Sequence, residues 1–173
     1  MLDGDVFFRI QLLWGVAPPI LIILCVATWL LISKCRKIEE LDIKIKTSCV
    51  ALLYLVWPSL CSQAFSLFAC RSICDDVTTF FRADLDVSCW EGVHGHYAFG
   101  LGLPMLCLYV IGLPVAALLR VRDMHQTTVI DLEEEKIYGM FYTAFRKETW
   151  WWEGTVAARK IIIAFIGVFG AEM

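Results

Sequence analysis

The chain has 173 residues, of which 59% are hydrophobic and only 19% charged, and its net charge is −3. Soluble domains of this size keep their apolar share nearer half, so the composition points to a lipid environment. The weakly acidic balance offers no footprint for nucleic acid, and no phosphate-cradling Gly loop, HExxH or GxSxG speaks for an enzyme.

The N-terminus, Met1-Leu-Asp3-Gly-Asp5, opens with acids, whereas a secretory signal opens with cations. The first charge-free run, Ile10 to Ser33, lies between Arg9 and Lys34 and holds 24 residues. Roughly 20 suffice to cross a bilayer core as a helix, so span one is placed at about 10–33. Residues 34–46 follow as a charged connection. Lys37 to Lys46 is predicted to be a short surface helix carrying the i,i+4 pairs Glu40/Lys44 and Asp42/Lys46.

The second run, Thr47 to Cys70, also holds 24 residues, which places span two at 47–70. Ser59, Ser62, Gln63 and Ser66 recur at offsets 0, 3, 4 and 7 and so share one helical face. Polar groups in lipid turn toward protein or water. The stripe therefore reads as hydrogen-bonding glue between helices, with a hydrated path as the sharper alternative.

Residues 71–96 form the one sizeable loop, with Asp75, Asp76, Asp84, Asp86 and Glu91. Cys70, Cys74 and Cys89 lie in it or at its edge. A Cys70–Cys89 disulfide would clamp helices two and three at their ends, and Cys74–Cys89 is the rival, since sequence does not decide connectivity. Cys25, Cys35, Cys49, Cys61 and Cys107 are expected to be free thiols. Cys89, Glu91, His94 and His96 match no zinc spacing. No metal or cofactor is expected, and the histidines read as interfacial groups meeting water and headgroups. The carboxylates read as a solvated acidic loop before a weak calcium site or a lure for cations.

The third run, Tyr97 to Leu119, holds 23 residues and gives span three at 97–119, with Gly100, Gly102 and Gly112 allowing close approach of a neighbour. Pro18, Pro19, Pro58, Pro104 and Pro114 fall within the spans, where each removes a backbone donor and tends to kink its helix. Residues 120–160 form a second charged segment, in which Asp131 is placed to cap a helix.

Trp150, Trp151, Trp152 and Glu153 precede Arg159 and Lys160. Two placements compete. Residues 149–160 could lie along the interface as an anchor, since Trp favours that zone. Alternatively, one helix begins at the tryptophans and carries Arg159 about 10–14 Å along it, a costly depth for a charge. The interfacial anchor is favoured for that reason. The last apolar run, Ile161 to Ala171, holds 11 residues. It predicts an incomplete fourth span at 161–173 in a fragment of a longer protein.

Twelve of the fifteen lysines and arginines fall in residues 34–46 and 120–160; Arg9, Arg71 and Arg82 do not. The positive-inside rule then puts those two segments in the cytosol and the N-terminus and loop 71–96 outside or in a lumen. The expected fold is all-α, a polytopic transmembrane helix bundle of three full spans and a truncated fourth, forming one transmembrane domain.

Three groups of residues also resemble a known family. They are Phe68-Ala-Cys70 with Ala83-Asp-Leu-Asp-Val-Ser-Cys89 and His94; Tyr109-Val-Ile-Gly112-Leu-Pro114; and Tyr138-Gly139 with Tyr142, Trp150-Trp-Trp-Glu153 and Arg159-Lys160. In order and spacing, over roughly residues 50–165, they resemble the C-terminal membrane region of transient-receptor-potential-like (TRP-like) proteins of algae and other protists. The resemblance implies part of a multipass cation channel or membrane sensor. The alternative is a non-conducting multipass receptor, adhesion anchor or lipid-handling protein. The chain lacks a recognisable pore helix, selectivity filter or arginine ladder. Expected partners are the lipid bilayer, the remainder of a larger chain, further copies of the chain and cations.

Overall fold

The computed structural model describes residues 4–36, 39–72, 79–126, 137 and 152–170. Helix α1 runs from Gly4 to Cys35 and α2 from Leu41 to Ser66. Strands β1 (Cys70–Ser72), β2 (Thr79–Phe81) and β3 (Asp84–Ser88) follow. A long composite helix comes next: α3 (Gly92–Tyr97), a π-helical segment (Ala98–Gly102), α4 (Leu103–Met105), a second π segment (Leu106–Gly112) and α5 (Leu113–Gln126). Helix α6 covers Trp152–Phe169.

Among the described residues, three stretches are long and apolar enough to cross a membrane: Val6–Cys35, Leu41–Ser66 and Gly92–Asp123. A multipass helical membrane protein is thus compatible with the fold. The start of span two departs from expectation. The predicted surface helix before span two is absorbed into α2, and of its two charge pairs Asp42–Lys46 is seen as an ion pair. Glu40, with a left-handed φ of 58°, makes the turn that starts α2, and its carbonyl accepts from the Lys44 N–H.

The all-α expectation is corrected within 67–96. Residues 67 and 68 turn, Cys70 opens a strand instead of ending a helix, and β1-β2-β3 form an antiparallel sheet. Cys70 pairs with Phe81, and Arg82-Ala83 make a two-residue hairpin between β2 and β3. The physical cause is legible afterwards: Thr79-Phe-Phe and Leu85-Asp-Val-Ser carry the β-branched and aromatic residues that suit a half-buried pleat.

The prolines explain the two π segments. Each ends two residues before a proline, Gly102 before Pro104 and Gly112 before Pro114. A pyrrolidine ring clashes with the carbonyl four residues back, and the wider i→i+5 register moves that carbonyl aside. The Leu103 N–H accordingly bonds to Ala98 O, five residues back. At Gly112 a Cβ would lie 2.9 Å from Cys107 O, so the wide turn requires glycine there.

Contacts divide the chain into two compact units. The first comprises Met1–Val16, Trp57–Gly112 and Lys160–Met173. Its core holds Phe8, Leu60, Cys61, Ala64, Leu67, Phe81 and Met105, all buried. Gly102 passes so close to Phe68 that a Cβ would sit 2.9 Å from the ring, whereas Gly100 faces open space. The second comprises Ala17–Val56 and Leu113–Arg159. There the Trp29 indole N–H donates to Ser48 Oγ at 3.1 Å, joining α1 to α2, and Gly154 packs on Leu118.

Within the first unit, two carbonyls deprived of partners by proline are rebound by side chains. Pro19 cannot donate to Gly15 O, four residues back; the Tyr109 hydroxyl does so at 2.8 Å. In the i→i+5 register the donor opposite Tyr109 O would be Pro114, which has none. The Trp57 indole N–H supplies it at 2.9 Å. Tyr109→Phe should destabilise the folded chain by about 1 kcal/mol, the scale of an interhelical hydrogen bond in a membrane protein. In a Pro19→Ala background, which restores the backbone donor, the same change should cost less. Chemical unfolding in detergent of the four chains of this cycle measures the difference.

Candidate functional site

The candidate site is the β cap between α2 and α3 with the polar seam beside it, all within the first unit. The cap has two fastenings. Cys70 in β1 and Cys89 after β3 form a disulfide, with Cα atoms 6.1 Å apart, inside the normal range for a bridge. Of the two pairings open from sequence, this one is formed. Cys74 lies outside the described residues. Cys25, Cys35, Cys49, Cys61 and Cys107 are free.

The second fastening is His94, which sequence reading placed at a wet interface. It is instead fully buried. Its Nδ1 lies 3.0 Å from the Trp90 backbone N–H, a donor, so Nδ1 accepts. Nε2 must then carry the proton and donates to Leu67 O at 3.1 Å. The ring is therefore a neutral imidazole of fixed tautomer that ties the turn after α2 to the turn before α3. That second turn is strained: Trp90 has a φ of +68°, rare for a bulky residue, and Gly92 has +52°. His96, by contrast, is exposed and its Nδ1 lies 2.7 Å from Gly92 O.

Aromatic rings complete the cap. Phe8 of α1 stacks on Tyr97 at 4.2 Å and on Phe81 at 5.8 Å, and Phe81 lies 4.5 Å from the His94 ring. The Arg82 guanidinium donates to Val168 O at the last turn of α6, the end of a helix that favours a cation. Phe165 and Phe169 of α6 meet Phe65 edge-on.

Cys70, Cys89 and His94 bring two sulfurs and a ring nitrogen within 4.8 Å of one another. Bridged sulfurs are not thiolates, and both imidazole nitrogens are already engaged. The trio is a structural knot in this form. Among the acidic residues, Asp84 Oδ1 accepts from the Asp86 N–H at 3.1 Å, a local turn, while Asp86 and Glu91 are exposed. Asp75 and Asp76 lie outside the described residues.

The polar stripe of α2 divides. Ser59 is exposed and Ser62 bonds back to Pro58 O at 3.3 Å. Gln63 and Ser66 instead meet a residue that sequence reading passed over, Gln11 of α1. Its Nε2 donates to Gln63 Oε1 at 2.8 Å and to Ser66 Oγ at 3.0 Å. A single amide inside an otherwise apolar run was the available signal. The glue reading of the stripe thus applies to two of its four members.

The tryptophan segment corrects the favoured placement. One uninterrupted helix starts at Trp152 and takes Arg159 and Lys160 into its body, in place of an interfacial anchor that turns inward after Lys160. Arg159 is exposed and Lys160 half-buried. Trp150, Trp151 and the Glu153 side chain lie outside the described residues. At 18 residues, α6 is about 27 Å long, longer than the 11-residue charge-free run beginning at Ile161.

No known family profile matches the chain, and no solved structure matches it. It is similar to a Toxoplasma gondii protein named cysteine repeat modular protein A, with 29% identity over 123 residues. The match covers 68% of this chain and 4% of that protein, so the chain spans a small fraction of its relative's length.

Two substitutions separate the fastenings. Replacing Cys70 and Cys89 together by Ala should lower stability by about 3 kcal/mol, the scale for closing a loop of this length. His94→Ala should cost about 1–3 kcal/mol by orphaning a buried donor and acceptor. Thermal unfolding in detergent, with and without a reducing dithiol, reads both. Reduction should shift the His94→Ala protein but leave the double-Ala protein unmoved.

Proposed function

We propose that this chain is a multipass membrane-embedded segment of a much larger protein, serving as its anchor and as the element that senses what happens outside. In this reading the N-terminus and the β cap face the outside or a lumen, and residues 34–46 and 120–160 face the cytosol. The observation that carries it is the doubly fastened cap. A disulfide and a buried neutral histidine join the end of α2 to the start of α3 through a rigid sheet, so a load on the cap moves helices together. The similarity to 4% of a protein named for its cysteine repeats supports a small membrane portion within a large modular protein. The lipid bilayer and the rest of the larger chain are then its principal partners.

A second reading, a TRP-like cation-channel subunit, is favoured by one observation. The third long helix is broken by two π segments, a feature frequent at functional sites. Its residues also carry part of the resemblance, Tyr109 to Pro114.

Two measurements test these readings. Cys35 is exposed at the end of α1. In intact cells an impermeant maleimide should leave it unlabelled until the membrane is permeabilised; labelling from outside would overturn the topology. Liposomes carrying the full-length protein should show no cation flux above protein-free vesicles if it is an anchor. Flux that disappears on a pore-region substitution would decide for the channel.

A further inference from the structure

The exposed surface of the β cap is polar, with one exception. Among its described residues Arg71, Arg82, Asp86, Ser88 and Glu91 are exposed, and Trp90 is the one large apolar side chain that joins them, with 47% of its surface open. Beyond it the character reverses. Turn after turn, the third long helix exposes large apolar side chains: Val93, Phe99, Leu103, Leu108 and Ile111. The polar cap and the apolar helix thus meet at Trp90.

The chain holds that indole in place against its backbone preference. Trp90 has a φ of +68°, a region open to glycine and an outlier for a bulky residue. Such outliers persist where the surrounding structure fixes them, and they cluster at functional positions. Here the Trp90 N–H donates to His94 Nδ1 at 3.0 Å, and the preceding residue, Cys89, is bridged to Cys70. The ring is braced as well. Its centroid lies 6.1 Å from that of Phe68, 6.2 Å from Phe99 and 5.8 Å from His94. Phe68 is itself packed against Gly102. Among the described residues no protein group accepts from the Trp90 indole N–H.

An indole joins a broad apolar face to one polar N–H, and such rings settle at headgroup level, where one end is apolar and the other wet. A protein partner suits the position less. A stable one needs roughly 1,000 Å² of complementary surface, whereas the cap around Trp90 carries charges of both signs. We propose that Trp90, braced by Phe68 and Phe99, docks the β cap into the boundary between lipid headgroups and acyl chains. The indole N–H donates to a lipid carbonyl, and the ring fixes the level at which the third long helix enters the bilayer. The inference rests on the membrane reading above and adds where the lipid surface meets the chain; it holds for an anchor and for a channel alike.

The chain has seven tryptophans. Fluorine NMR of the full chain, labelled with fluorinated tryptophan and placed in phosphatidylcholine liposomes, reads the depth of each indole. Trp14→Phe, Trp29→Phe and Trp90→Phe identify the signals of those three. A nitroxide near the carbonyl end of the acyl chain should broaden the Trp90 signal severalfold more than a nitroxide at the methyl end, and more than a gadolinium chelate in the water. Broadening by the chelate with none from either lipid nitroxide would overturn the anchor. A Trp90 signal that none of the probes reaches would also overturn it, since another copy or another protein segment would then cover the ring. Trp14 and Trp29 lie inside the first membrane-crossing stretch, and in either of those outcomes they still respond to the lipid nitroxides. If they too are silent to lipid, the membrane reading itself fails and takes the anchor with it.

Discussion

The first three long helices of this chain, α1, α2 and the composite third, contain proline and so have backbone carbonyls left without a donor. In water such groups are solvated at little cost. In a bilayer they must find partners within the protein. Here the answers are specific. The Tyr109 hydroxyl serves Gly15 O and the Trp57 indole serves Tyr109 O. Tyr109 is at once donor and recipient, so its position fixes α1 and α2 against the third long helix. The π segments belong to the same constraint, because widening the helix is how the third span accommodates Pro104 and Pro114.

The cap follows a related rule. A chain that leaves one helix and enters the next within about two dozen residues must satisfy its own polar backbone. It does so with a small sheet, and it closes the two open turns with one imidazole. Neutral histidine is suited to that task because one nitrogen accepts while the other donates. The disulfide beside it restricts the same two chain ends covalently. The strained left-handed turn at Trp90 and Gly92 is held by both fastenings.

The two functional readings share this machinery and differ in what it transmits. For an anchor and sensor, the rigidity of the cap is the useful property. For a channel, the broken third helix would be. Both are served by polar contacts between helices that sit at definite levels, Tyr109 on Gly15 and Gln11 on Gln63 and Ser66. Exchanging one such contact can then shift the packing of two helices at once.

The membrane character was legible in the chain itself. Three charge-free runs of bilayer length appear in the sequence, and three stretches of membrane-crossing length appear among the described residues of the fold, because apolar segregation is a property of the chain order. The Cys70–Cys89 bridge was one of two pairings open from spacing. Other features needed the third dimension. The helical period showed that Gln63 and Ser66 share a face, but only packing set Gln11 against them and left Ser59 outside. His94 looked like an interfacial group because composition cannot show which backbone atoms will surround a ring. Arg159 and Lys160 seemed to mark the end of an interfacial segment, yet α6 runs through them. By itself, then, the sequence determined where the chain is apolar enough to enter a bilayer. Tertiary structure decided which carbonyls freed by proline, which buried amide and which imidazole satisfy one another, since hydrogen-bond partners far apart in the chain are chosen by packing and not by local pattern.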